Sequence, residues 1–263
     1  MWGLFISGII AMITAQHISK TFAGKPVVCD VSGTFEAGRT NLLIGASGTG
    51  KSVFVKCMVG LLAPDTGDVF YHQRNFTHGS SDNRRQIRRE IGMLFQGIAL
   101  FDSKNVEDNV RFPLDILSKM TSKEKRKRVS FCLDRVGLDD THKKMPSELS
   151  GGMKKRVGIA RAIVNSPKYL FCDEPNSGLD PLTAIKIDRL IQEITHEYKI
   201  TTLVVTHDMN SVMEIGEQVI FMHQGKACWT GTAQTILDTK QPELNAFIMS
   251  NKLVHALKSK SIK

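Results

Sequence analysis

The sequence lacks any apolar run long enough to cross a membrane. Its most apolar stretch, residues 1–15, is shorter than the ~20 residues a spanning helix needs. It also lacks the basic leader of a secretory signal. Residues 1–11 fit either an extension from an upstream start, with Met12 as the alternative start, or a short segment that packs or touches a membrane. If the protein acts at a membrane, we expect it to do so from outside the lipid bilayer.

Cysteine is sparse and shows no pairing pattern. The chain has an odd number, Cys29, Cys57, Cys132, Cys172 and Cys228, and none is spaced as metal or redox cysteines are. We therefore expect five free thiols in a reducing compartment. Repeats and low-complexity tracts are also absent, and a hydrophobic share of 41% is ordinary for a globular protein.

Acidic residues are fewer than basic ones, 26 against 35, which leaves a formal charge of +9. A basic protein of this size often meets phosphate on nucleic acid, nucleotide or lipid headgroups, and the charge alone does not choose among them. The basic run at residues 122–128 is more simply a solvated helix face than a binding patch.

The apolar runs come in two styles, which predicts two kinds of sheet in an α/β fold. Short runs at 27–31, 41–44 and 68–71 alternate with turn signals, as in a small antiparallel sheet. Runs at 169–172 and 202–206 are almost wholly apolar, as in a parallel sheet covered on both faces. Helical patterns occupy 52–60, 152–165 and 181–198.

The segment at about residues 100–160 has no strand pattern and is polar, helix-rich and basic up to residue 150. We expect it to be a helical subdomain inserted into the sheet. The domain organisation we predict is one domain at 12–240 and a short tail at 241–263. This tail leaves no room for a large regulatory domain.

A glycine-rich segment follows the run at 41–44 and consists of Gly45, Ala46, Ser47, Gly48, Thr49, Gly50, Lys51 and Ser52. It fits the G-x-x-x-x-G-K-[ST] phosphate loop completely and has the strand and helix context that the motif requires. The glycines let successive N–H groups point at one centre, where they hold nucleotide phosphates. Lys51 would reach the β- and γ-phosphates of ATP, and the Ser52 hydroxyl would ligate Mg²⁺.

Two carboxylates, Asp173 and Glu174, end the apolar run at 169–172. Such an end places Asp173 at the sheet edge, where it can orient the Mg²⁺ shell. Glu174 would then polarise a water for attack on the γ-phosphate. Hydrolysis depends on this positioning, because the loose transition state offers a protein little else to act on.

A third motif precedes the helical pattern at 152–165 and consists of Leu149, Ser150, Gly151, Gly152 and Met153. Here the chain resembles the ABC ATPase family, whose signature is LSGG followed commonly by Gln; the resemblance spans about residues 12–235. Ser150 and the N–H groups of a helix N-terminus form a second anion receptor. The resemblance implies a homodimer in which each ATP is held between one copy's phosphate loop and the other copy's Ser150, Gly151 and Gly152.

The same resemblance implies roles for further residues. Phe22 matches the aromatic residue that stacks on adenine, although a core Phe is the alternative. Gln96 matches the glutamine that contacts Mg²⁺ and links to an integral membrane permease, received near residues 96–115. Residues 177–180 match the loop that signals across the dimer, and His207 matches the histidine that senses the γ-phosphate. Asn176 replaces a commoner Thr or Phe, and we attach no function to it.

The amino-acid sequence in and between the motifs is similar to that of the ATPases of Mla-type systems, which move phospholipid between bacterial membranes. The similar segments are 93–101, 105–110, 112–114 and 145–156, and they read MLFQGIALF, NVEDNV, FPL and MPSELSGGMKKR. Met153 after LSGG is typical of that group. The resemblance implies a peripheral protein on the cytoplasmic face of the inner membrane.

Two other functions fit the same motifs. An importer ATPase for amino acids, metals or other solutes would use identical motor chemistry with another permease. A soluble ABC protein of DNA repair, chromosome organisation or ribosome work would suit the basic charge. The two cassettes, coiled-coil arms or zinc modules usual in such proteins are not visible in the sequence, so we expect no nucleic-acid partner. Among ABC proteins without a permease, one of cluster assembly is the form closest in size. A non-catalytic scaffold is disfavoured because Lys51, Asp173, Glu174 and His207 are all present.

Overall fold

The computed structural model describes residues 12–250. The expectations for residues 1–11 and for 251–263 lie outside the described residues. All five cysteines have free thiols, as expected. None of the described helices is both long and apolar enough to cross a membrane.

A four-stranded antiparallel sheet is built from the first third of the chain. Its order is β2-β1-β4-β5. These strands are Ile13–Phe22 (β1), Lys25–Phe35 (β2), Thr66–Tyr71 (β4) and Arg74–Asn75 (β5). Its buried side chains, such as Ile13, Ile18 and Val69, join one core cluster with α1. The antiparallel sheet expected here is therefore present.

A six-stranded sheet forms the centre, in the order β10-β9-β3-β8-β7-β6. All pairs are parallel except β9 with β10 at one edge. Every residue of β3, β7 and β8 is buried, as their continuous apolar runs predict. The strands are Thr40–Ile44 (β3), Ile91–Leu94 (β6), Tyr169–Asp173 (β7), Thr201–Thr206 (β8), Gln218–His223 (β9) and Lys226–Gly231 (β10).

Eight α-helices complete the described part of the chain. They are Lys51–Met58 (α1), Ser81–Arg89 (α2), Val106–Leu117 (α3), Ser122–Arg135 (α4), Gly151–Ile163 (α5), Pro181–Tyr198 (α6), Met209–Ile215 (α7) and Pro242–Met249 (α8). α3, α4 and α5 form the inserted helical subdomain, which leaves the sheet after β6 and returns at β7.

Side-chain caps explain where the helices of this region begin. The Thr121 hydroxyl accepts a hydrogen bond from the Glu124 N–H, and the Glu124 carboxylate accepts one from the Thr121 N–H, which forms a capping box at α4. Ser150 caps α5 by accepting from the Met153 N–H at 3.3 Å. Each cap satisfies a backbone donor that the helix itself leaves free.

Two expected boundaries differ from the structure. The helix expected at 52–60 ends at Met58, because Gly60 takes a φ of +75° that no right-handed helix accommodates. The tail expected from residue 241 begins with α8. Its Leu244 and Ile248 are fully buried in the larger core cluster, so these residues are part of the domain core.

Candidate active site

The phosphate loop and three residues singled out by the sequence follow four parallel strands. The phosphate loop follows β3, Gln96 follows β6, Glu174 follows β7 and His207 follows β8. Because these strands are parallel neighbours, their carboxyl ends share one edge of the sheet. Ligands of open α/β sheets bind in the crevice outside that edge.

Backbone packing against neighbouring strands shapes the phosphate loop. A Cβ atom added to Gly45 would lie 2.2 Å from the Met222 carbonyl oxygen, and one added to Gly50 would lie 2.4 Å from that of Val27. Both glycines also have positive φ angles, 147° and 97°. Glycine is therefore required at these two positions by both space and conformation.

The Lys51 ammonium lies inside the loop that precedes it. Its Nζ donates to the carbonyl oxygens of Gly45 at 2.8 Å and Ala46 at 2.7 Å. Burial lowers the pKa of Lys51, while the nearby charges of Glu174 and Asp173 oppose that shift. A cation held at the N-terminus of α1 beside free backbone N–H groups makes this edge a receptor for anions.

Ser52 and Asp173 meet at the first turn of α1. The Ser52 hydroxyl lies 3.2 Å from the Asp173 Oδ1 and donates to it. Burial raises the pKa of Asp173, partly offset by this hydrogen bond. A hydroxyl and a carboxylate at this distance fit the all-oxygen shell that Mg²⁺ prefers, so the residues present suit the metal.

Glu174 is held by side chains from two other strand ends. Gln96 Nε2 donates to one carboxylate oxygen at 2.8 Å, and His207 Nδ1 lies 3.1 Å from the other. The Glu174 backbone has a φ of 47°, an uncommon conformation for a residue with a Cβ, and its N–H donates to the Val205 carbonyl at 2.9 Å. Unusual backbone of this kind clusters at functional sites.

Sequence reasoning missed Lys155, which lies in the same region. Its side chain is buried on α5, and its Nζ lies 3.1 Å from the Gln96 carbonyl and 3.2 Å from the Glu174 carbonyl. A signal was present, because Lys155 stands at helical spacing among the buried residues Gly152 and Ile159. A charged residue inside a buried stripe needs polar partners.

Asn176, to which no function was attached, connects three elements. Its amide nitrogen donates to Asp188 of α6 at 2.7 Å and to the Ser211 hydroxyl of α7 at 3.0 Å. Burial raises the pKa of Asp188 to about 6, although both hydrogen-bonding partners lower it. The loop after Glu174 is thereby fastened to the two helices that follow β7 and β8.

The structure brings most predicted residues together but not all. Within the described residues, Ser150 makes no hydrogen bond to the phosphate loop; its hydroxyl caps α5 instead. Gly152 lies against α6, where an added Cβ would stand 2.7 Å from the Thr183 methyl group. Phe22 ends β1 with 43% of its surface exposed and the Lys20 ammonium 5.7 Å from its ring.

The family model described as ABC transporter matches residues 28–177. That match covers more than half of the chain and contains the phosphate loop, Gln96, Ser150 and Glu174. The chain belongs to the ABC transporter family. It is thus the ATP-binding subunit of an ABC transporter and an ABC ATPase.

Known members of the family resemble this ABC ATPase along most of its length. The probable ribonucleotide transport ATP-binding protein mkl of Mycobacterium tuberculosis is 36% identical over 92% of this chain and 67% of its own. The methionine import ATP-binding protein MetN 2 of Pseudomonas entomophila is 38% identical over 92% of this chain and 74% of its own.

A solved structure supports the fold and its chemistry. The bacterial ABC transporter cassette MJ0796, solved as a dimer, superposes with a TM-score of 0.77 and 30% identity over 84% of this chain and 98% of its own. The same cassette has also been solved as a dimer in a post-hydrolysis state bound to ADP and Pi. The ABC ATPase fold expected from the sequence is confirmed.

Proposed function

We propose that two copies of this chain bind two ATP molecules between them and hydrolyse them to drive phospholipid transport of the Mla type. The observation that supports ATP hydrolysis by this site is the orientation of the Glu174 carboxylate. Its two oxygens contact Gln96 and His207 beside the Ser52–Asp173 pair. A carboxylate so oriented can accept a proton from a water that attacks the γ-phosphate.

The metal would be held by Ser52, Gln96 and Asp173. Bound there, Mg²⁺ would supply positive charge that offsets the charge on the transferred phosphoryl group. The chain's own contribution is positional. Lys51 and the loop N–H groups orient the phosphates, Glu174 takes the proton, and His207 holds the carboxylate and senses the γ-phosphate. Phe22, exposed at the end of β1, would stack on the adenine.

The second copy supplies the other half of each site in this proposal. Ser150, Gly151 and Gly152 open α5 on the helical subdomain, and Ser150 makes no bond to the phosphate loop of its own chain among the described residues. The solved dimer of MJ0796 supports a two-copy arrangement. ATP would favour the closed pair because its γ-phosphate would contact groups of both copies, which is the differential interaction that any such shift requires.

An integral membrane permease would dock near residues 96–115 and the end of α3. Several large apolar side chains are exposed there, namely Phe95, Phe101, Ile116 and Leu117, with Ile116 63% exposed. Exposed apolar patches of this kind mark interaction sites. Docking at this patch would hold the chain peripherally at the cytoplasmic face of the inner membrane and let dimer closure move the permease. We propose no role in nucleic-acid binding.

A solute importer is the second candidate function. The name of the MetN 2 relative favours it, since that protein is a methionine import ATP-binding protein of 38% identity. The phospholipid assignment rests instead on the segments that are similar to Mla-type ATPases, such as 145–156. The two candidates share one motor and differ only in the permease and the cargo.

Reconstitution with the membrane subunit that copurifies with the chain separates these candidates. We expect ATP-dependent movement of a fluorescent phospholipid between vesicles, and none with the Glu174→Gln variant in the same complex. Uptake of radiolabelled methionine by the same vesicles, without movement of phospholipid, would replace the phospholipid proposal by the importer.

A further inference from the structure

Lys155, on the buried side of α5, donates hydrogen bonds to three acceptors in two loops. Only 3% of its surface is exposed. Its Nζ donates to the carbonyl oxygens of Gln96 at 3.1 Å and Glu174 at 3.2 Å, and to the Ser177 hydroxyl at 3.3 Å. Gln96 belongs to the loop after β6, while Glu174 and Ser177 belong to the loop after β7, and Ser177 begins the segment expected to signal across the dimer.

Burying an ammonium group at this position costs desolvation free energy. Burial lowers the pKa of Lys155, with Cys172, Glu174 and Asp173 opposing that shift. An apolar side chain here would avoid that desolvation but would leave the three acceptors without this donor. An ammonium offers what an apolar side chain cannot, three donors that reach three acceptors from one atom.

α5 also contacts residues 96–99, here called the Gln96 loop, at a second point. The Arg161 guanidinium donates to the carbonyl oxygens of Ile98 and Ala99, the latter at 2.7 Å. Both acceptor residues have positive φ angles, 63° and 53°, so the loop takes an unusual path that these bonds secure. With Lys155 and Arg161 both attached, α5 and residues 96–99 are fastened together.

We propose that Lys155 is a positioning residue that transmits movement of α5 and of the Gln96 loop to the backbone of Glu174. The Gln96 loop is the segment we assign to the permease, and α5 begins at the signature that faces the second ATP. A displacement of either shifts the Lys155 ammonium, which pulls on the Glu174 carbonyl and on Ser177. The inference rests on the proposed function, because Glu174 must be the residue that acts on water.

The test is Lys155→Met in the full chain, with steady-state hydrolysis of Mg-ATP as the measurement. We expect kcat to fall by about 10–100-fold with KM for ATP within about twofold, because misplacement by ~1 Å costs up to ~100-fold while the phosphate loop is untouched. Lys155→Arg, which restores charge and donors, should recover part of kcat.

Arg128→Met is the matched control. Arg128 donates to the carbonyl oxygens of Val164 at 2.9 Å and Ile163 at 3.0 Å, at the opposite end of α5. It too is a cation that satisfies backbone carbonyls, but it does so away from the site. We expect a comparable loss of thermal stability in both variants and a loss of kcat only at Lys155.

Ser177→Ala covers the case in which Lys155→Met fails to fold. It removes one acceptor and leaves the ammonium in place, so we expect kcat to fall about 2–5-fold with unchanged Tm. An unchanged kcat in Ser177→Ala, or equal kcat in Lys155→Met and Arg128→Met, would overturn the inference. Wild-type hydrolysis by Glu174→Gln would instead overturn the proposed function, so the two failures are distinguishable.

Discussion

Glu174 sits where four separate constraints meet. Its two oxygens contact Gln96 and His207, its carbonyl accepts from Lys155, and its N–H donates to Val205. A carboxylate with both oxygens and both backbone groups engaged has little freedom to rotate. That rigidity suits the role we propose for Glu174, which is to orient one water molecule.

Replacing Glu174 with Gln keeps the size and removes the proton acceptor. We expect hydrolysis at saturating Mg-ATP to fall by about 10²–10⁴-fold, the contribution usual for a general base, while nucleotide affinity is retained. Phosphate release measures the rate. Glu243→Gln, which changes an exposed carboxylate on α8, should hydrolyse at the wild-type rate, and a similar rate from both variants would remove Glu174 from its proposed role.

Asp188 gives the fold a pH dependence of its own. Because burial raises its pKa to about 6 in the folded protein, against 3.8 as its ordinary value, protonation favours folding. That contribution is complete below about pH 4 and is lost as pH rises through about 6. The charges of Asp208 and Glu214 on and beside α7 act in the same direction.

Asp188→Asn should remove this dependence. Between pH 5 and pH 8 we expect the free energy of unfolding of the wild type to fall by roughly 1 kcal/mol more than that of the variant, since one pKa unit corresponds to ~1.4 kcal/mol. Urea unfolding at both pH values measures the difference. Parallel pH profiles would show that Asp188 is ionised equally in both states.

Most residues of the site could be predicted because their signals are local. The phosphate loop is a contiguous motif, and the resemblance to ABC ATPases led to Gln96 and His207. Lys155 and the Asn176–Asp188 pair were missed, since their importance lies in contacts between residues 12 to 59 positions apart. Such contacts depend on how helices pack on the sheet, which no local pattern specifies.

At the scale of elements, α8 differs most from expectation. The sequence analysis places its residues in a short tail at 241–263, outside the domain. Leu244 and Ile248, four positions apart, face the same side of the helix and are fully buried against the larger core cluster. Phe247 stacks near Phe221 of β9 at 5.5 Å between ring centroids.

Leu244→Ala should therefore behave as a core substitution. We expect it to lower the free energy of unfolding by about 2–5 kcal/mol, the range for a buried Leu that leaves a cavity. Met249→Ala, at an exposed position of the same helix, should change it by less than about 0.5 kcal/mol. Denaturant unfolding compares them, and equal small effects would mean that α8 contributes little to the core.

At the scale of the whole molecule, the sequence predicted both sheets and the inserted helical subdomain but not the order of the strands. Apolar runs and alternation indicate which face of a strand is buried. They do not indicate that β3 lies between β8 and β9, whose paired residues lie 162 and 177 positions further along the chain. Pairing over such distances is set by the packing of all the helices together.

Ser150→Arg tests the assembly that the proposed function requires. A bulky cation at the α5 cap should block the second copy, so in the Glu174→Gln background we expect normal ATP affinity but no dimer. Thr121→Arg changes the corresponding cap of α4 and controls for the ~1 kcal/mol lost with any cap. Light scattering in saturating Mg-ATP gives the mass, and a dimer formed by the Ser150→Arg protein would contradict the shared site.

The inserted helical subdomain leaves the sheet after β6 and rejoins it at β7, and these two strands are hydrogen-bonded neighbours in parallel register. The chain leaves β6 at Leu94 and enters β7 at Tyr169, at opposite ends of this parallel pair, and the register of the two strands fixes both points whatever length of chain lies between them. We expect insertions or exchanges within residues 102–148 to leave the positions of the strand ends at the candidate site unchanged. The same ATPase core can in this way serve different membrane transporters, as expected when functional sites vary on a shared fold.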